Sequence, residues 1–182
     1  MKVLKIVLLL IAFIVLVLFL MLMQAGIFKT VTASEKVMGP YTLVYESYKG
    51  DYNNTGKVFD RVYRKLKADG IITSRGLGVY YDDPATTPAG QQRSDCGSVI
   101  EEADLQKLEA VKAKYNVMQI LKKECIVVEF PFKNYLTYML GPSKAYPVMV
   151  NFAMKKGYKV TRAYELYDNP GKLVYYVFEI NK

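Results

Sequence analysis

Val79-Tyr80-Tyr81-Asp82-Asp83-Pro84 and Glu165-Leu166-Tyr167-Asp168-Asn169-Pro170 are two versions of one pattern, a tyrosine-rich apolar run stopped by an acidic turn and a proline. Each run starts eight or nine residues after a glycine, Gly70 or Gly157, that closes an amphipathic stretch. An apolar run that meets Asp-x-Pro reads as a strand entering a turn. Glycine after a periodic stretch reads as a helix stop, because only glycine takes the left-handed cap without strain. Helix, strand and turn therefore occur in the same order in both halves of the chain.

Outward from these anchors the rest of each half fills in. From Lys29 to about Gly50 residues alternate, with Tyr41, Leu43 and Tyr45 on one side and Thr42, Val44 and Glu46 on the other, as in a half-buried strand. Asn54 or Thr55 is placed to cap a helix whose stripe is Val58, Phe59, Val62, Tyr63 and Leu66. Ile71–Tyr81 is expected as a strand, residues 84–94 as a loop, and Cys96–Ile100 as a further strand. Asp104–Tyr115 is expected as a short helix on Leu105, Leu108 and Val111, its other face lysine-rich and solvated. In the second half, Val117–Leu121 and Ile126–Leu140 read as strands. Ser143–Lys156 reads as a helix with Pro147 in its first turn, where the missing N–H costs nothing. Tyr158–Tyr167 and Lys172–Ile180 complete that half. The expectation is an α+β fold of two strand-helix-strand-strand repeats, roughly 30–101 and 117–181, joined into one antiparallel sheet with helices on one side. Superposing the two patterns letter for letter matches Val79 with Glu165 and Tyr81 with Tyr167.

Before this domain (residues 29–182) stands an uninterrupted apolar run of 18 residues, Ile6–Met23. At 1.5 Å per residue it reaches about 27 Å, close to the hydrocarbon thickness of a bilayer. A signal peptide usually has a shorter core of about 7 to 15 residues and a small-x-small cleavage site, and Met23-Gln24-Ala25 is a poor one. Residues 1–28 are therefore read as a transmembrane anchor. Lys2 and Lys5 before the run, against Lys29, Glu35 and Lys36 after it, favour a cytoplasmic N-terminus and an exported domain.

Composition excludes several chemistries. The chain has no histidine, which removes histidine-based triads and histidine metal sites, and two cysteines cannot form a four-thiolate zinc site. Neither GxxxxGK[ST] nor GxGxxG occurs. No metal or cofactor is expected; Asp82 and Asp83 read as turn residues. Outside the anchor 23 basic and 17 acidic residues leave a net charge of +6, spread without a basic-aromatic array, so a nucleic-acid partner is not expected. Cys96 and Cys125 are either a disulfide in an exported domain or two unpaired thiols. Asn53-Asn54-Thr55 matches a glycosylation sequon, a pattern common by chance.

The order of elements, Gly50-Asp51-Tyr52 before the first helix, and the two turn patterns together resemble the GyrI-like small-molecule-binding domain, also called the AraC-type effector-binding domain. The resemblance covers about residues 35–181. An apolar segment ahead of such a domain is also similar to anchored members of the family that serve in ER-phagy. No acidic tail follows Lys182 here, so that role is not carried over. The resemblance implies a pocket between the repeats, lined by aromatic rings, with a buried glutamate that receives cationic or amphipathic ligands. Glu165 matches that glutamate. Some members are hydrolases that pair the glutamate with a tyrosine, and Tyr167 at i+2 shares its strand face.

Independently of family, a carboxylate inside a tyrosine-rich strand is costly unless it is paired, and aromatic rings around it suit a lipophilic cation. The alternative is a glutamate at an edge, paired with lysine. Tyrosines 41, 45, 80, 81, 135, 138, 164, 175 and 176 are available as lining. The expected ligand-binding set is Glu165, Tyr167, Tyr81, Tyr41 and Tyr135. The expected function is capture of a small molecule by an anchored sensor or scavenger. The rival readings are a hydrolase using Glu165 and Tyr167, and a protein-interaction module at the membrane.

Overall fold

The computed structural model describes residues 2–24, 30–132 and 135–182; Lys29 and the side chain of Tyr135 lie outside the described residues. The chain opens with α1 (Lys2–Gln24), followed by β1 (Ser34–Met38), β2 (Tyr41–Lys49), α2 (Gly56–Ala68), β3 (Arg75–Tyr80) and β4 (Arg93–Val99). Then come α3 (Leu108–Lys114), β5 (Asn116–Ile120), β6 (Lys123–Pro131), α4 (Tyr135–Lys156), β7 (Lys159–Asp168) and β8 (Leu173–Asn181). The strands form one antiparallel sheet in the order β1-β6-β8-β7-β3-β4-β2-β5.

Strand, helix, strand, strand occurs twice, as β2-α2-β3-β4 and β6-α4-β7-β8. The two units meet where β3 pairs with β7. Each unit's leading strand crosses over. β1 precedes β2 but pairs with β6, and β5 precedes β6 but pairs with β2. The reversals meet on the outside, where a Cβ at Gly39 would lie 2.9 Å from the Leu121 carbonyl oxygen.

Alternation along the strands supplies two apolar surfaces. One is concave and, among the described residues, has no helix packed on it. Leu43, Leu77, Val79, Val99, Tyr164, Leu166 and Val177 fill it, together with Met38 and Ile120 from the outermost strands. Residues from opposite ends of the strand order meet in one cluster because the sheet curls on itself. The other surface takes the helices. Val58, Val62 and Leu66 of α2 bury against it, as do Ala145, Met149 and Ala153 of α4.

Several boundaries differ from the sequence expectation. Residues 135–140 are the start of α4, not the end of a strand, and the helix runs through both Pro142 and Pro147. Two prolines five residues apart read as a boundary, yet burial of Ala145, Met149 and Ala153 holds the segment helical across the lost donors. β3, a central strand, begins only at Arg75 rather than at Ile71, because Ile71 packs with Val62 and Leu66 of α2 in the connection that precedes it. Residues 102–107 form a 3-10 turn ahead of a short α3 in which only Val111 is buried; Leu105 stays 40% exposed. Gly70 and Gly157 both carry positive φ, +72° and +70°, as helix stops. Cys96 faces the helices, Cys125 faces the concave core, and both are free thiols.

α1 is an exposed helix, and Val3–Met23 is long and apolar enough to cross a membrane.

Candidate functional site

The site lies on the helix side of the β3–β7 junction. There Gly76 faces Tyr167 and Gly78 faces Glu165, so one wall is side chains and the other is bare backbone. α2 lays Phe59 over that bare strand; a Cβ at Gly78 would come within 3.0 Å of the Phe59 ring. α4 brings Tyr146 and Tyr138 from the other side. The cleft between the helices has a volume of about 2040 Å³.

Glu165 is 5% exposed at the floor of this cleft. Tyr146 donates to its Oε1 at 2.9 Å, and Tyr167 donates to its Oε2. The Tyr80 hydroxyl lies 3.4 Å from that of Tyr167. Phe59 meets Tyr167 edge-on at 5.3 Å between ring centres, and Tyr138 lies tilted against it at 5.4 Å. Among the described residues both hydrogen bonds to the carboxyl therefore come from neutral hydroxyls, and no lysine or arginine forms an ion pair with it. Burial pushes the Glu165 carboxyl above its ordinary range, while the bonds from Tyr167 and Tyr146 pull it down. The hydroxyls of Tyr80, Tyr146 and Tyr167 are all driven well up, first by burial and then by the field of Glu165. Tyr176, the register partner of Glu165 on β8, is fully buried with a hydroxyl that has no hydrogen-bond partner among the described residues.

A cation entering beside Glu165 would meet a carboxyl whose charge nothing nearby cancels, inside a ring of π faces.

The expected site residues divide. Glu165 and Tyr167 stand together on the cleft floor. Tyr81 lines the outer part of the same cleft without reaching Glu165: it is 49% exposed, lies past the end of β3, and donates to Asp95. Tyr41 faces the concave side, edge-on to Tyr164 and beneath Arg75. Tyr135 opens α4 and its side chain is outside the described residues. The letter match of Val79 with Glu165 fails in the sheet, because Val79 packs in the concave core while Glu165 faces the helices. Tyr80 takes the position expected of Tyr81. Tyr146 and Phe59 were legible only as parts of helical stripes, since their contacts with Tyr167 and Glu165 are made between elements far apart in sequence.

Fold and cleft together describe a small-molecule-binding domain rather than a structural sheet. The chain belongs to the GyrI-like family: the model of the GyrI-like small molecule binding domain matches residues 34–178. No curated protein sequence matches the chain. Among solved structures, the EcmrR C-terminal domain is similar with a TM-score of 0.59 at 13% identity, covering 84% of this chain and 98% of that one. EcmrR in its DNA complex gives 0.60 at 12% identity, covering 92% of this chain but 65% of that one. SAV2435 bound to tetraphenylphosphonium gives 0.52 at 12% identity, covering 82% and 93%.

Proposed function

We propose that this chain is a membrane-anchored receptor for small amphipathic cations, acting as a sensor or scavenger. Glu165 supplies the charge, and Phe59, Tyr138, Tyr146 and Tyr167 supply the aromatic walls. The observation that carries this reading is a buried carboxyl held by tyrosine hydroxyls, with no basic partner among the described residues. A buried charge without a counter-charge is costly, and a cationic ligand relieves that cost. That SAV2435 has been solved with a lipophilic cation is consistent with it. The apolar helix Val3–Met23 is the anchor, with the N-terminus cytoplasmic and the domain on the far side.

Titration calorimetry with tetraphenylphosphonium tests the site, using the full chain in nanodiscs. Glu165→Gln is expected to weaken binding by about tenfold or more, equivalent to about 1.4 kcal/mol. Neutral triphenylphosphine oxide is expected to bind both proteins equally. Equal affinity of the two proteins for the cation refutes the role of Glu165. Protease protection in sealed vesicles tests the orientation.

A further inference from the structure

The cleft has an apolar lip. Met139, Pro147, Val150 and Met154 share the outward side of α4, and Met139, Val150 and Met154 are 61%, 46% and 76% exposed. The row spans 16 residues, 15 rises or about 22 Å of helix. Met139, Pro147 and Val150 border the cleft directly, and Val160 borders it from β7. The lip is thus continuous with the cavity wall. Beyond Met154 it ends among lysines: Lys155 and Lys156 in the last turn of α4, and the exposed Lys159 at the start of β7.

The same end of α4 receives the chain arriving from α1. Val31 and Ala33 pack on the cluster that holds Ala153 and Tyr158. Glu35 accepts from the Tyr158 hydroxyl at 3.1 Å and lies 3.6 Å from Lys156. α1 ends at Gln24. Six residues, seven backbone steps, separate Gln24 from Val31, a reach of at most about 25 Å even fully extended. If α1 spans a bilayer, Val31, which packs at the lysine-rich end of the lip, is held within that distance of the end of α1.

We infer that the outward side of α4 rests on the bilayer that holds α1. Met139, Val150 and Met154 enter the interfacial layer, Lys155 and Lys159 meet anionic headgroups, and the cleft mouth opens at headgroup level. Three features converge on a lipid surface as the partner: an apolar row on a helix, cations at its edge, and a short tether to a membrane-length helix. This inference rests on the reading of α1 as a membrane anchor.

Quenching by nitroxide lipids tests it, with the full chain in nanodiscs containing phosphatidylserine. A fluorophore is placed in turn at Met154→Cys, at Lys112→Cys on α3, and at Phe13→Cys within α1. Cys96 and Cys125 are buried and stay unlabelled. Strong quenching is expected at positions 13 and 154, at least threefold above that at position 112. The signal at 154 is expected to fall about twofold or more with Lys155→Glu/Lys159→Glu or on omission of phosphatidylserine. Quenching at 13 but equal, low quenching at 154 and 112 overturns the lip and leaves the anchor standing. Absence of quenching at 13 overturns the anchor, and the lip with it.

Discussion

Gly78 and Glu165 are register partners across the junction of the two units, so the buried carboxyl faces a strand position that carries no side chain. The space in front of the acid is made by a glycine, and Phe59 leans into it from α2. Glycine inside a strand marks a close approach of something else, here an aromatic ring.

Gly78→Ala fills that space. Its Cβ would lie 3.0 Å from the Phe59 ring and 3.0 Å from the Tyr80 hydroxyl, so both must give way toward the cleft. Tetraphenylphosphonium affinity is expected to drop about tenfold while the circular dichroism spectrum stays native. Unchanged affinity would show that the ligand sits elsewhere.

Glu165 also sets a pH dependence of stability. The unfolded chain releases this proton near pH 4.5, whereas the folded chain, with the carboxyl buried, holds it to higher pH. Between those two values the folded state binds more protons, so stability falls as pH rises from about 4.5 through the folded pKa and then levels. Glu165→Gln is expected to lose this decline and to be more stable than the parent at pH 7. Urea midpoints measured from pH 4 to 7 check it; a gap between the two proteins that does not widen with pH speaks against the mechanism.

The tyrosine donors act on the same proton. Tyr167 and Tyr146 lower the Glu165 pKa by bonding to the charged form. Tyr146→Phe and Tyr167→Phe are each expected to raise it further, shifting the pH at which a cation begins to bind upward. Isotope-edited infrared spectroscopy of the carboxyl band reads this directly.

Arg75 and Glu101 give the opposite sign. Burial raises the Glu101 carboxyl, but the Arg75 guanidinium at 2.6 Å and the Ser74 hydroxyl at 2.7 Å outweigh it and hold the pKa below 4.5. That pair contributes stability above about pH 4.5 and loses it as pH falls through the folded pKa. Both side chains are about a quarter to a third exposed, so solvent screening keeps the cost of Arg75→Ala to about 1 kcal/mol at pH 7. The cost is expected to shrink in thermal melts as pH falls below about 4.5 and through the lowered folded pKa.

Gly97→Ala tests the curl of the sheet. A Cβ there would fall 1.8 Å from the Val44 carbonyl oxygen, a backbone atom that no rotamer change can move. A loss of about 2 kcal/mol or more is expected in urea denaturation, at the upper part of the range for overpacking.

The sequence was most legible where local chemistry decides. Gly70 and Gly157 stop their helices, Asp-x-Pro ends the strands, and the 41–46 alternation separates two faces that the sheet keeps apart. Glu165 and Tyr167 were legible because i and i+2 on a strand must share a face. Tyr81 shows the limit of that logic: matching Val79 to Glu165 by letters is off by an odd number of residues, and one step along a strand turns a side chain to the opposite face. The spacing Gly76-x-Gly78 held the missing signal for a cleft wall. Tyr146 had no comparable signal, since nothing local to α4 announces a carboxyl on β7. The start of α4 was hidden by Pro142 and Pro147, whose cost as breakers is overridden by tertiary burial.

The crossing of β1 and β5 has a consequence for how the chain assembles. Ser34 is made first but pairs with Val127, more than ninety residues later, and Tyr41 waits for Ile120. During synthesis the first unit emerges with one edge unfilled and a leading strand whose partner does not yet exist. The last strands out of the ribosome, β7 and β8, fill the middle of the sheet between β6 and β3, so the sheet becomes continuous only after every other strand has emerged.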